Sequence, residues 1–206
     1  MFMINNLIAN RPPGYELFFA PLEISLDPTV YEKIQFAYFM SKFGHRGQIR
    51  DDGSRYFDHP KATAWIYINE LNGRDPQITI DSLLHDVPED TYLLSFFRIS
   101  WNFGEEIAKD LRAITKLPKG KETIEEYFQR VVARGPKLVL VKLCDRLHNL
   151  RCLASCSVDK IAKQLAETEV LMGTLLPVLE ADSEFCSFAS YLTSEMRLAM
   201  QKVSES

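Results

Sequence analysis

The chain is short of several things, and each shortage narrows what it can be. Its 206 residues include four cysteines, Cys144, Cys152, Cys156 and Cys186, and none forms a C-x-x-C pair. That excludes a disulfide framework and makes a reducing cytoplasm the expected location. Cys152 and Cys156 would share one helix face, where small half-buried thiols are favoured over a zinc site. No apolar run approaches transmembrane length, and Met1 to Asn10 carry neither a basic leader nor a cleavage site. No membrane association is therefore expected. Positive charge is not in excess: 24 Lys and Arg face 28 Asp and Glu, for a net charge of −4. A dedicated nucleic-acid surface is thereby disfavoured. A small anionic substrate stays open, because a local basic cluster suffices for it. Strand signals are weak throughout, no internal repeat or low-complexity segment occurs, and no pattern speaks to oligomeric state.

What is present is an ordinary globular balance, 46% hydrophobic and 25% charged. One domain over residues 1–206 is expected, with a core at about 29–155, an arm at 1–28 and a C-terminal helical extension at 156–206. Pro12, Pro13, Pro21 and Pro28 break up the first segment, which reads as an irregular arm packed through Phe18, Phe19 and Leu22. The Asp27-Pro28 step starts a helix to about Phe43, with Ile34, Ala37, Tyr38 and Phe43 inward. Residues 44–59 form a loop around an Asp-Asp-Gly turn. Pro60 fits the first turn of a helix to about Leu71, and a short helix spans Ile78 to Asp86, stopped by Pro88. Further helices are expected at 92–103, 105–116, 122–134 and 137–153. Two more, at about 158–176 and 183–202, are separated near Pro177 and Asp182. The architecture is all-α.

Chemistry concentrates in Leu83-Leu84-His85-Asp86-Val87-Pro88-Glu89-Asp90-Thr91. A histidine beside an aspartate offers a nitrogen and a carboxylate oxygen to one divalent ion. The acidic pair behind them can handle the protons of a water. In the helix from Lys137, Leu140, Leu143, Leu147 and Leu150 make a core stripe. Asp145, Asn149 and Cys152 lie opposite it. On spacing alone that polar face reads as solvated. The nearby Lys142, Arg146 and Arg151 read equally as a solvated face or a phosphate grip. The four histidines, His45, His59, His85 and His148, all fall in these same segments. His59, His85, Asp86 and Asp145 would together form a two-His, two-Asp site suited to Mn²⁺, Fe²⁺ or Zn²⁺.

The order of motifs resembles the HD-domain hydrolases of the Rel/SpoT stringent-response enzymes, and most closely the single-domain small alarmone hydrolases. The resemblance runs through His45-x-x-Gln48-x-Arg50, Gly53-x-x-Tyr56-x-x-His59-Pro60, the His85-Asp86-x-x-Glu89-Asp90-Thr91 stretch, Phe103-Gly104, Thr115-Lys116-Leu117 and Val141 to Arg151. It covers about residues 30–155. It implies an α-helical HD bundle holding one Mn²⁺ on His59, His85, Asp86 and Asp145, with Glu89 and Asp90 orienting and activating the hydrolytic water. It also implies that Arg50 packs on the base and Asn149 contacts the ribose. Tyr56, Lys142 and Arg146 would lie near the nucleotide or its phosphates. His45 and His148 are not ligands in the family and read as hydrogen-bonded structural residues. The implied reaction removes the 3′-pyrophosphate of ppGpp or pppGpp, giving GDP or GTP and pyrophosphate.

Three positions depart from the family pattern. Asp51 follows Arg50 where a second basic residue is usual, which leaves adenine alarmones such as ppApp beside the guanine ones. Pro88 replaces an aliphatic residue, and Cys152 stands where a small hydroxyl residue is common. Two other readings compete: an HD phosphohydrolase of another nucleotide or phosphoester, and a non-enzymatic module on a degenerate HD fold. The complete ligand set and the Glu89-Asp90 pair speak against the latter.

Overall fold

Five of the eleven described α-helices start on a side-chain cap. In the computed structural model, which describes residues 12–205, Asp27 accepts from Thr29 N at 2.8 Å and Pro28 opens helix α2 (Pro28–Gly44). It follows α1 (Tyr15–Glu23). The histidine-bearing α3 (Asp58–Trp65) runs into a π-helical turn, Ile66–Glu70. Asp75 caps α4 (Pro76–Leu84) through Gln77 N and Ile78 N. The single turn α5 (Val87–Asp90) follows, then α6 (Phe96–Phe103) and α7 (Glu105–Ile114). A Thr123–Glu126 capping box starts α8 (Ile124–Val132). Gly135, at φ 94°, and Pro136 start α9 (Pro136–Arg151), which ends in a 3₁₀ turn, Leu153–Ser155. Ser157 caps α10 (Val158–Glu180), and α11 (Cys186–Ser204) closes the chain. Among the described residues β-pairing is limited to one isolated bridge, Ile49 to Arg55. None of these helices is long and apolar enough to cross a membrane.

Helix α9 is the hub. It packs on α3, α4, α7, α8, α10 and α11, and every residue from Leu138 to His148 is buried. Nearly encircled, it turns Lys142, Asp145, Arg146 and Asn149 to a cleft rather than to the outer surface. This overturns the solvent-facing reading of Asp145, which is 3% exposed. Arg151 turns away from the polar cluster, binding Glu70 at 2.7 Å and Glu195 at 2.8 Å, so it ties α9 to the π turn and to α11.

Four local expectations are corrected. The described part of the arm is helical rather than irregular: α1 buries Phe18, Phe19 and Leu22 and carries Pro21 inside it. The backbone bond Pro21 forfeits is to Leu17, on the exposed side, where water can take the carbonyl. Residues 1–11 of that arm lie outside the described residues. Phe43 is 58% exposed, and Ser41 takes the inward place. Pro88 does not stop a helix but sits in the first turn of α5, where a missing N–H costs nothing; α4 has already ended at Leu84. Pro177 lies within α10, which continues to Glu180.

Candidate metal centre and substrate cleft

Three helix segments deliver the polar cluster. His59 comes from the first turn of α3, His85 and Asp86 from the break between α4 and α5, and Asp145 from the middle of α9. His59 Nε2 lies 3.0 Å from Asp145 Oδ1, 3.2 Å from His85 Nε2 and 3.5 Å from Asp86 Oδ2. His85 Nε2 lies 3.2 Å from Asp86 Oδ1 and 3.7 Å from Asp145 Oδ1. Ligand atoms bonded to one divalent ion at about 2.0–2.2 Å lie roughly 3–3.5 Å apart. The observed separations bracket that spacing for His59, His85 and Asp145, whose donor atoms all lie within 4.8 Å of one another, while Asp86 meets the two imidazoles through different carboxylate oxygens. Two nitrogens with a carboxylate suit a borderline divalent cation. The residues therefore fit an ion.

The electrostatics lean the same way. Burial pushes carboxylates up, yet Lys142 and the two histidines hold Asp145 well below its ordinary value. Asp86 is also lowered, by His85 and His59 against the same burial. His85 is pushed up to about 9, since Asp86 and Asp145 outweigh its desolvation. Burial lowers the facing His59. The two carboxylates thus stay anionic, and a bound cation would take over from the His85 imidazolium as their counter-charge.

Around this centre the other expected residues fall into place. Tyr56 donates to Asp90 Oδ2 at 2.5 Å and lies 3.2 Å from Asp86 Oδ2, joining a candidate ligand to a candidate base. Gln48 donates to the Asp90 carbonyl at 2.8 Å. Glu89 stands at the rim and accepts from Lys116 N at 3.2 Å; desolvation raises its pKa. Lys142 Nζ is 2.7 Å from Asp145 Oδ2 and 5.3 Å from the Tyr127 ring centre. Burial opposes its charge, but the Asp145 carboxylate wins and the net shift is upward. Arg50 donates to Asn149 Oδ1 at 2.8 Å, and Asn149 donates to Asp145 Oδ1 at 2.7 Å. Arg146 is drawn toward α10, to Gln164 and Glu167. His45 is held by Gln48 and stacks on Tyr56, 4.7 Å between ring centres.

These groups line one cleft of about 330 Å³, within reach of all eleven expected site residues. It also takes in residues that the sequence did not single out for a role, among them Lys116, Tyr127, Lys160 and Gln164. Lys116 lies in the Thr115-Lys116-Leu117 motif, so a signal was present. Lys160 had none. It pairs with Asp51 across the cleft mouth, and Cys156 Sγ lies 3.7 Å from the same carboxylate oxygen.

Comparison with known proteins places this arrangement. The family described as "HD domain" matches residues 37–171. Over 150 residues the chain is 35% identical to a GTP pyrophosphokinase of Streptomyces coelicolor, covering 69% of this chain and 17% of that protein. Over 145 residues it is 32% identical to the bifunctional (p)ppGpp synthase/hydrolase SpoT of Escherichia coli K12, covering 66% and 20%. Over 153 residues it is 37% identical to a guanosine-3′,5′-bis(diphosphate) 3′-pyrophosphohydrolase of Aquifex aeolicus, covering 72% and 22%. The chain spans about a fifth of the length of these relatives. A solved structure described as a metazoan ortholog of SpoT that hydrolyzes ppGpp shares the fold, with TM-score 0.65 and 21% identity over 86% of this chain and 94% of that one. Motif order, helical architecture and family match agree: the chain belongs to the HD-domain family and is homologous to the SpoT/Rel alarmone enzymes.

Proposed function

We propose that this protein is a Mn²⁺-dependent 3′-pyrophosphohydrolase of guanosine alarmones, acting in the cytoplasm as one domain. The observation that carries this reading is the His59, His85, Asp86 and Asp145 cluster facing Glu89 and Asp90 within one cleft whose other walls carry Arg50, Lys116, Lys142 and Arg146. His59, His85, Asp86 and Asp145 would hold a divalent ion, which when bound would make water a nucleophile at neutral pH and screen phosphate charge. Glu89, kept basic by its desolvated position, takes the proton of the attacking water. Asp90, fixed by Tyr56 and Gln48, orients that water. Lys116 and Lys142 neutralise the pyrophosphate as the 3′ P–O bond breaks. Arg50, anchored by Asn149, stacks on the base, and Asn149 contacts the ribose. The products are GDP or GTP and pyrophosphate.

The test is pyrophosphate release from ppGpp and pppGpp by purified protein with and without Mn²⁺. Release that needs the ion supports the reading. Folded, ion-loaded protein inert on ppGpp, pppGpp and ppApp overturns it. One observation favours a second reading, an adenine alarmone or another nucleotide: Asp51 puts a carboxylate at the base end of the cleft. Faster turnover of ppApp, or orthophosphate or nucleoside as product, would select it.

A further inference from the structure

Two candidate ligand histidines are set up in different ways. His85 Nδ1 lies 2.8 Å from the Ser82 carbonyl. A carbonyl only accepts, so a neutral His85 carries its hydrogen on Nδ1 and turns a lone pair on Nε2 toward the cluster. His59 has no such carbonyl. Its Nδ1 faces His148 Nδ1 at 2.8 Å, and the two residues are 2% and 3% exposed. Two neutral imidazole nitrogens at that distance share one hydrogen. Its owner decides whether His59 Nε2 presents a lone pair or an N–H.

For Nε2 to bind an ion, the hydrogen must sit on His59 Nδ1 and His148 Nδ1 must accept it. The hydrogen of His148 then lies on its own Nε2. The group there is Cys152 Sγ at 3.6 Å, which can accept. Thus Cys152, at a position where a small hydroxyl residue near the base was expected, turns toward His148.

We propose that His148, held in its Nε2–H form by Cys152, is the positioning residue that fixes His59 as a metal ligand. His148 itself touches neither ion nor substrate. The proposal rests on the reading of His59 as a ligand. It requires an acceptor at the His148 Nδ1 position, which packing alone does not supply. Asparagine places a carbonyl oxygen near that point, and leucine fills similar space with none.

The experiment compares wild type, His148→Asn, His148→Leu and His59→Ala by calorimetric titration with Mn²⁺. Thermal melting without added ion checks that each is folded. Outer partners of ligand histidines typically carry a 10–100-fold effect on metal affinity. His148→Leu is expected to weaken binding by about that factor, with His148→Asn close to wild type. In Zn²⁺-loaded wild type, long-range ¹H–¹⁵N NMR is expected to show His59 protonated on Nδ1 and His148 on Nε2. Equal Mn²⁺ affinity in His148→Leu and wild type overturns the proposal, as does a His148 protonated on Nδ1. If His148→Leu does not fold, the NMR assignment of wild type decides. The ligand reading fails separately if wild type binds no divalent ion, or if His59→Ala binds one as tightly as wild type.

Discussion

Asp145 and Asp81 are both buried carboxylates, 3% and 0% exposed, on helices that pack against each other. Their charges differ. Asp145 accepts from Lys142 and Asn149, faces two imidazoles, and is held well below its ordinary pKa. Among the described residues neither Asp81 oxygen has a hydrogen-bond donor. Burial first, and then the neighbouring Asp110, push Asp81 well above its ordinary value. Asp110 is itself satisfied, by Gln77 and Arg134, each at 2.6 Å. Burial raises every carboxylate, so donors decide which one stays an anion. The fold keeps a buried negative charge where a cation can use it, and elsewhere keeps the proton.

The comparison breaks most visibly at Asp145. An Asp145→Asn protein should lose divalent-ion binding and at least about a thousandfold in turnover, since an ion supplies several kcal/mol to the transition state. Full Mn²⁺ affinity in that variant would remove Asp145 from the site. Glu89→Gln should come next, keeping the ion but losing about a hundredfold in kcat, the lower end for a general base because Asp90 remains. Desolvation raises Glu89, which works deprotonated, so the acidic limb of the wild-type pH profile should lie above the ordinary glutamate value of 4.5. That limb should vanish in Glu89→Gln. An unchanged limb would assign it to another group.

Asp81→Asn should have the opposite character, with activity retained and stability changed. The folded form of Asp81 binds its proton more tightly than the unfolded chain does. Its contribution to stability is therefore fully present below the ordinary value of 3.8 and is lost as pH rises from there toward the raised folded value. Asparagine mimics the protonated acid at every pH. The melting temperatures of variant and wild type should nearly coincide at pH 4 and separate by pH 8, with the variant higher by a few degrees. A gap that shrinks with pH would show that Asp81 is charged in the fold.

This contrast between the two aspartates was only half legible in the sequence. The start at Asp27-Pro28 was readable because a cap is local, and Gly135-Pro136 marked the break between two helices; the Thr123 capping box, equally local, was not singled out. The candidate ligand set was named because resemblance orders the motifs, and three of its members, His59, His85 and Asp145, converge in the fold. The surroundings of Asp145 were not readable. A helix with a leucine stripe and a polar face reads as amphipathic, and that rule fails when six other helices enclose it. The tie between Arg151 and Glu70 joins residues 81 apart, and Asp51 meets Lys160 across 109 residues. Such pairings depend on the chain returning, which no local pattern records. Phe43 failed for a subtler reason. It lies five residues after Tyr38, about 140° round the helix, while Ser41, three after Tyr38 and four after Ala37, takes the inward arc of α2.

Asp51 extends the comparison to the surface and carries the smallest expected effect. It is a carboxylate with a cation partner but without burial: the side chains of Asp51 and Lys160 are 59% and 48% exposed. Lys160 lowers Asp51, the same direction as Asp145, yet water already stabilises this anion, so the pair has little desolvation to offset. Lys160→Ala should therefore leave the melting temperature within about a degree, as exposed ion pairs contribute little. It should also leave Mn²⁺ affinity unchanged. Because Lys160 lines the cleft mouth, any effect should fall on KM and stay below about tenfold, in line with a rim charge rather than a buried one. A loss of kcat comparable with that of Glu89→Gln would mean that the mouth of the cleft takes part in the chemistry. Charge with a partner would then matter at this site whether buried or not, and burial would lose its place in the contrast between Asp145 and Asp81.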